Sequence, residues 1–152
     1  MKARRRGFVG LALLLLLTAP AAHADLSSAL NPFAAYSNNI ARAAAQNDVG
    51  KVRSLILNGN SPNDTDESGR TGLHVAATNG QLQIAAILIK AGATINQRDN
   101  IGETPLHHAA ERNNTEMLKL LLDVGAQVET QDKNGMTALM FAERAGTELG
   151  NP

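Results

Sequence analysis

Met117, Leu118, Leu121 and Leu122 stand at i, i+1, i+4 and i+5, which places four apolar side chains on one face of a helix over about 115–123. Just before them, Thr104 offers a hydroxyl to an unpaired helix N–H, and Pro105 suits a first helical position, where a missing N–H costs nothing. A first short helix is therefore predicted from about Pro105 to Arg112. Gly125 follows the second helix as a left-handed C-terminal cap. The polar stretch up to Gly135 then turns the chain back as a hairpin-like loop. The unit predicted is helix, turn, helix, loop.

That unit recurs. Gly69, Gly102 and Gly135 are 33 residues apart, and so are Thr71, Thr104 and Thr137, and Leu73, Leu106 and Leu139. Asp66, Asp99 and Asp132 keep the same step, as do Ala76, Ala109 and Ala142, and Gly92 and Gly125. Counting back from Leu73, Ala76, Leu88-Ile89 and Gly92 reaches Ile40, Ala43, Leu55-Ile56 and Gly59, so a more divergent first copy precedes the others. One period held over so many positions marks a repeat architecture. A single repeat cannot bury its apolar face, so the small pairs Ala76-Ala77 and Ala109-Ala110 and the large pairs Leu88-Ile89 and Leu121-Leu122 are read as stacking surfaces.

Thr104-Pro105-Leu106-His107-His108-Ala109-Ala110 resembles the signature of the ankyrin repeat family, and Thr71-Gly72-Leu73-His74-Val75-Ala76-Ala77 is a near match. Ala91-Gly92-Ala93-Thr94-Ile95-Asn96 and Val124-Gly125-Ala126-Gln127-Val128-Glu129 resemble the second landmark of that family. The likeness spans roughly residues 33–146. Gly72 and Ala138 depart from the family's proline, and Asn113 from its glycine. The resemblance implies an all-α ankyrin-repeat solenoid of about 3.5 helix-turn-helix repeats with hairpin-like loops. The copies fall at about 33–65, 66–98, 99–131 and 132–150. The resemblance also implies a structural role for His74 and His107, hydrogen-bonded near the hairpin.

The two ends need covering. Leu26, Leu30, Phe33 and Tyr36 are spaced as in an amphipathic helix over 26–39 that covers the first copy. Glu143 stands where earlier copies have Ala77 and Ala110, which suits an outer face. The fourth copy is expected to stop after Gly146, with a second helix reduced to the stub Thr147-Glu148-Leu149, because Gly146, Gly150 and Pro152 oppose a longer helix. Part of the Leu118–Leu122 face is then left undercovered or is met by a partner.

Residues 1–24 have a different character. Lys2 and Arg4–Arg6 precede an apolar run from Phe8 to Leu17, and Ala22-His23-Ala24 fits a small-x-small cleavage site. This is the pattern of a signal peptide cut between Ala24 and Asp25, with the periplasm as the expected destination. The apolar run is shorter than the roughly 20 residues needed to span hydrocarbon, so no membrane attachment is expected of the mature form. Arg5-Arg6-Gly7-Phe8-Val9 also resembles part of a twin-arginine signal, but the unbroken Leu13–Leu17 run favours the general secretory route. The domain at 25–152 follows.

Composition narrows the function. The chain has 14 Lys and Arg against 14 Asp and Glu, but the first segment holds four of the bases and no acid. The remainder is mildly acidic and sparse in aromatics, which argues against nucleic acid as a partner. Cysteine is absent, which excludes disulfides, thiol nucleophiles and cysteine-type zinc sites. His107 and His108, adjacent on a helix, do not share a face and are poorly placed to hold one metal. Asp64, Asp66 and Glu67 lack the spacing of a calcium loop and are read as turn residues bonding their own backbone. Glu103 and Glu111 are expected on solvated faces. No nucleophile elbow, phosphate loop or zinc-protease motif is present. No catalytic residue, cofactor or metal is expected.

A stack of short helices with projecting loops offers a concave surface for another protein. The resemblance places contacts at the loop tips and the exposed ends of the first helices. In the second copy these are Glu67, Ser68, Arg70, Thr78 and Asn79, and in the third Asn100, Ile101, Glu103, Glu111 and Arg112. In the fourth they are Lys133, Asn134, Met136 and Arg144. Ile101 and Met136 are apolar where water is expected, and they are read as anchors ringed by Arg70, Arg112 and Lys133. The expected function is a non-catalytic module binding a periplasmic protein. The resemblance to exported bacterial ankyrin proteins implies a supporting role, for example for a catalase in oxidative-stress defence. The alternative is an immunity-type inhibitor of a toxin acting in the periplasm.

Overall fold

The computed structural model describes residues 39–148. The signal segment with its Ala24–Asp25 junction, the helix predicted over 26–39 (apart from Asn39) and Leu149 of the predicted stub lie outside the described residues. Within them the chain forms α1 (Ile40–Ala45), α2 (Val49–Leu57), α3 (Gly72–Asn79), α4 (Leu82–Lys90), α5 (Pro105–Glu111), α6 (Thr115–Asp123) and α7 (Ala138–Glu148). Among the described residues the only extended pairing is an isolated antiparallel bridge between Thr65 and Thr71. The first helices of successive copies, α1, α3, α5 and α7, pack in one row, and the second helices α2, α4 and α6 pack behind them.

Each first helix starts for a local reason. Thr71 and Thr104 hold extended backbone and receive the N–H of His74 and His107, while the imidazoles accept the threonine N–H groups in return. The capping box thus uses histidine in the place of the usual glutamate. Each pair of helices turns through one left-handed residue: Asn47, Gly80 and Asn113 have φ of 54°, 68° and 52°. Asparagine tolerates that conformation better than most side chains, which accounts for Asn113 standing in a glycine position. Asp48 and Asn114 then cap α2 and α6 by accepting the N–H of Lys51 and Met117.

The core follows the 33-residue step. Ile40, Leu73 and Leu106 are buried between the rows, as are Leu55, Leu88 and Leu121, and Ala43, Ala76 and Ala109 let the first helices approach. Gly72 departs from the proline pattern because α1 comes too close. A Cβ there would lie 2.7 Å from Ile40 Cγ2 and 3.0 Å from Leu88 Cδ1.

The last copy differs from expectation. Its first helix does not stop at Gly146 but continues unbroken to Glu148, so Thr147 and Glu148 extend α7 rather than begin a second helix. Gly146 does not take the left-handed backbone that turns the other copies, and helical glycine costs only about 0.5–1 kcal/mol relative to alanine. Without an outer helix packed on it among the described residues, Leu139 is 65% exposed where its counterpart Leu106 is 2% exposed. Leu122 is also exposed, and Leu118 half-buried, as the undercovered face predicts.

Candidate functional site

Every loop tip is built on an aspartate. Asp66, Asp99 and Asp132 each turn the chain so that the aspartate N–H donates to the carbonyl four residues on, while the following glycine N–H returns to the aspartate carbonyl. Oδ1 of each accepts two more backbone N–H groups: those of Ser68 and Arg70, of Ile101 and Glu103, and of Asn134 and Met136. Neighbouring tips are then joined. Asn100 N–H donates to the Ser68 carbonyl and Lys133 N–H to the Ile101 carbonyl, both at 3.0 Å. Asn100 Nδ2 adds a bond to the Glu67 carbonyl, and Arg98 reaches the Gln131 carbonyl. The close approach requires glycine at positive φ, since a Cβ on Gly102 would lie 3.0 Å from the Lys133 nitrogen.

This row presents Glu67, Ser68, Asn100, Ile101, Lys133 and Asn134 to solvent, as the sequence predicts. Ile101 is 54% exposed with its backbone held on both sides. Met136 is less exposed than the sequence leads one to expect. Met136 is half-buried and packs against the core, because its main chain is drawn inward by bonds to Asp132 and His107. Arg70 is half-buried and its guanidinium is tied to Asp66 at 2.9 Å, so it shapes its own loop. Asn79, Glu111 and Arg112 are exposed at the ends of the first helices. Thr78 is half-buried, its hydroxyl donating to the His74 carbonyl. Arg144 is exposed and lies over the Phe141 ring, 5.7 Å from its centre.

Behind the tips the histidines tie copy to copy. His74 Nδ1 accepts from Thr71, so Nε2 carries the hydrogen and donates to the Glu103 carbonyl of the next loop at 3.1 Å. His107 repeats this between Thr104 and the Met136 carbonyl. Burial, helped by the nearby His108, lowers the His74 pKa to about 4, and the ring is neutral near pH 7.

Glu103 corrects the expectation of a solvated carboxylate. It is buried, with Oε2 3.5 Å from His108 Nε2, and the same nitrogen lies 2.9 Å from Asp99 Oδ2. Burial raises the Glu103 pKa, as do the charges of Asp99, Glu111 and Asp132. Burial also pushes Asp99 upward, but the hydrogen bonds from His108 and from the Glu103 and Ile101 amides outweigh it and leave the pKa lowered. His74, Asp99 and His108 bring donor atoms within 4.8 Å of one another, a spacing that invites comparison with a metal site. The chemistry does not fit one. Both nitrogens of both rings are already committed: His74 as above, His108 to Asp99 and to Thr78 Oγ1 at 3.2 Å. Nothing in the periodic pattern announces this cluster, because Val75 and Phe141 occupy the His108 position in the flanking copies.

The arrangement is a held surface backed by a polar cluster. No helix among them is long and apolar enough to cross a membrane. A family model described as ankyrin repeats (three copies) matches residues 2–99, 40–132 and 92–149. No curated protein matches the chain.

Proposed function

The chain belongs to the ankyrin repeat family, whose repeats are protein–protein interaction modules, and from that premise we propose that it is a non-catalytic binding protein of the periplasm that supports a resident enzyme. The observation that carries the binding reading is the row of loop tips joined by main-chain bonds, with Ile101 exposed at its centre and Lys133 and Asn100 beside it. An exposed apolar side chain on a held backbone, ringed by polar groups, is the arrangement of an interface anchor, because little backbone entropy remains to be lost on docking. The basic-then-apolar segment ending at Ala24 supports export as the route. The kind of enzyme proposed is one of oxidative-stress defence, such as a catalase, on the resemblance to exported bacterial ankyrin proteins.

Residues 25–152, used as bait in a periplasmic extract, should retain one such enzyme. Ile101→Ser combined with Lys133→Glu should weaken retention while leaving the melting curve in place. Equal retention by bait and variant would remove the loop row from the account, and retention of a toxin instead of an enzyme would replace the supporting role.

A further inference from the structure

We propose that the end of the stack formed by α6 and α7 docks onto the same end of a second copy of the chain, giving a two-fold dimer. The 33-residue step shows which side chains open there. Val52 and Ala85 are fully buried, whereas Leu118 at the same step is half-buried. Ile56 and Ile89 are half-buried, whereas Leu122 is 45% exposed. On α7, Leu139 is exposed where Leu73 and Leu106 are buried, and Met140 is exposed where His74 and His107 are buried. α5 packs against both α6 and α7. Leu118, Leu122 and Leu139 border the place that an outer helix of the fourth copy would take, and Met140 lies where a following copy would cover it. A repeat stack stays dispersed when its end faces are polar, and this end is apolar.

The opposite end does not match it. Arg42 is exposed where Val75, His108 and Phe141 are buried, and Lys51 is exposed where Ile84 and Met117 are fully buried. Two cations there offer Leu122 and Leu139 no apolar surface, which disfavours a head-to-tail pairing. The end of α6 and α7 instead complements itself. Among the charges of α6, Glu116 and Asp123 hold positions that are exposed in the adjoining copy too, as Gln83 and Lys90. Lys119 differs, because Ala86 at its position is half-buried, so this ammonium borders the apolar strip. On α7, Glu143 is exposed where Ala77 and Ala110 are buried. Each wall of the strip thus pairs apolar side chains with one charge, and the two charges are opposite. A two-fold axis through the strip sets Lys119 against the partner's Glu143 and Glu143 against the partner's Lys119. Such a contact closes on itself instead of running on as a filament. The Ile101 row lies on the loop tips and takes no part in it.

Sedimentation equilibrium of the full chain, with no other protein present, tests the dimer. Monomer and dimer should exchange with concentration. Leu139→Ser, which removes an exposed side chain twice in each dimer, should raise the dissociation constant about a hundredfold while the urea midpoint stays in place. Lys119→Glu and Glu143→Lys should each disperse the chain to monomers. Mixed in equal amounts, those two variants should dimerise again, because a mixed pair restores both charge contacts. A monomer at every concentration, species larger than a dimer, association that Leu139→Ser leaves unchanged, or charge variants that stay apart when mixed would each overturn the proposal. The last two results would mean that another segment or another protein covers this end. Retention of an enzyme through Ile101 is measured separately, so the dimer and the binding face fail independently.

Discussion

Gly72 shows how much a single residue reports when the repeat pattern is known. Its copy-mate Pro105 begins a helix in the same way, so proline at 72 would match the pattern and pre-set the backbone. The packing says otherwise, since the first atom beyond Cα meets Ile40 Cγ2 at 2.7 Å. Ile40 is β-branched and buried, so it cannot swing aside. Gly72→Pro is expected to destabilise the chain by about 1–3 kcal/mol, the usual cost of overpacking, measured by urea unfolding. A gain in stability would mean that α1 yields. The departure from the pattern was visible beforehand, but its cause was not, because Ile40 lies 32 positions earlier in a divergent copy.

At the scale of the helix, the periodic apolar positions were enough to place the elements. α6 spans the residues predicted, and α5 ends one residue early because Arg112 caps it. Leu121 sits fully buried on α6 at the centre of the last complete pair. Leu121→Ala should cost roughly 2–5 kcal/mol through lost burial and the cavity left behind, read as a lower denaturant midpoint with the slope unchanged. An unaltered midpoint would place the core elsewhere. What escaped the pattern was the end of the last copy and the interior of the Asp99 and Asp132 loops. A glycine can either turn a chain or ride inside a helix, and Gly146 does the second. Glu103 looked like a surface carboxylate because its partner His108 lies on the next helix, where only the folded loop brings them together. Met136 looked exposed because its inward pull comes from His107 in the preceding copy.

For the molecule as a whole, the buried His74 makes stability depend on pH. The folded pKa of His74, about 4, lies below the unfolded value near 6.5, so the unfolded chain binds the proton more readily. Stability from this group is complete above 6.5 and is lost as pH falls toward 4, by on the order of 3 kcal/mol. Asp99, with its lowered pKa, adds a loss of the same sign at still lower pH, and Glu103, with its raised pKa, opposes both. Urea midpoints taken from pH 7 down to 4 should therefore fall, and a flat profile would show that His74 stays accessible to protons in the folded state.

The same histidines have a consequence for anyone who would re-engineer the surface. His74 grips the Glu103 carbonyl and His107 that of Met136, so the Asp99 and Asp132 tips are each moulded by the helix upstream rather than by their own copy alone. A graft cut at the repeat boundaries would carry a tip away from its mould. The smallest exchangeable cassette straddles two copies, running from the histidine of one through the hairpin of the next.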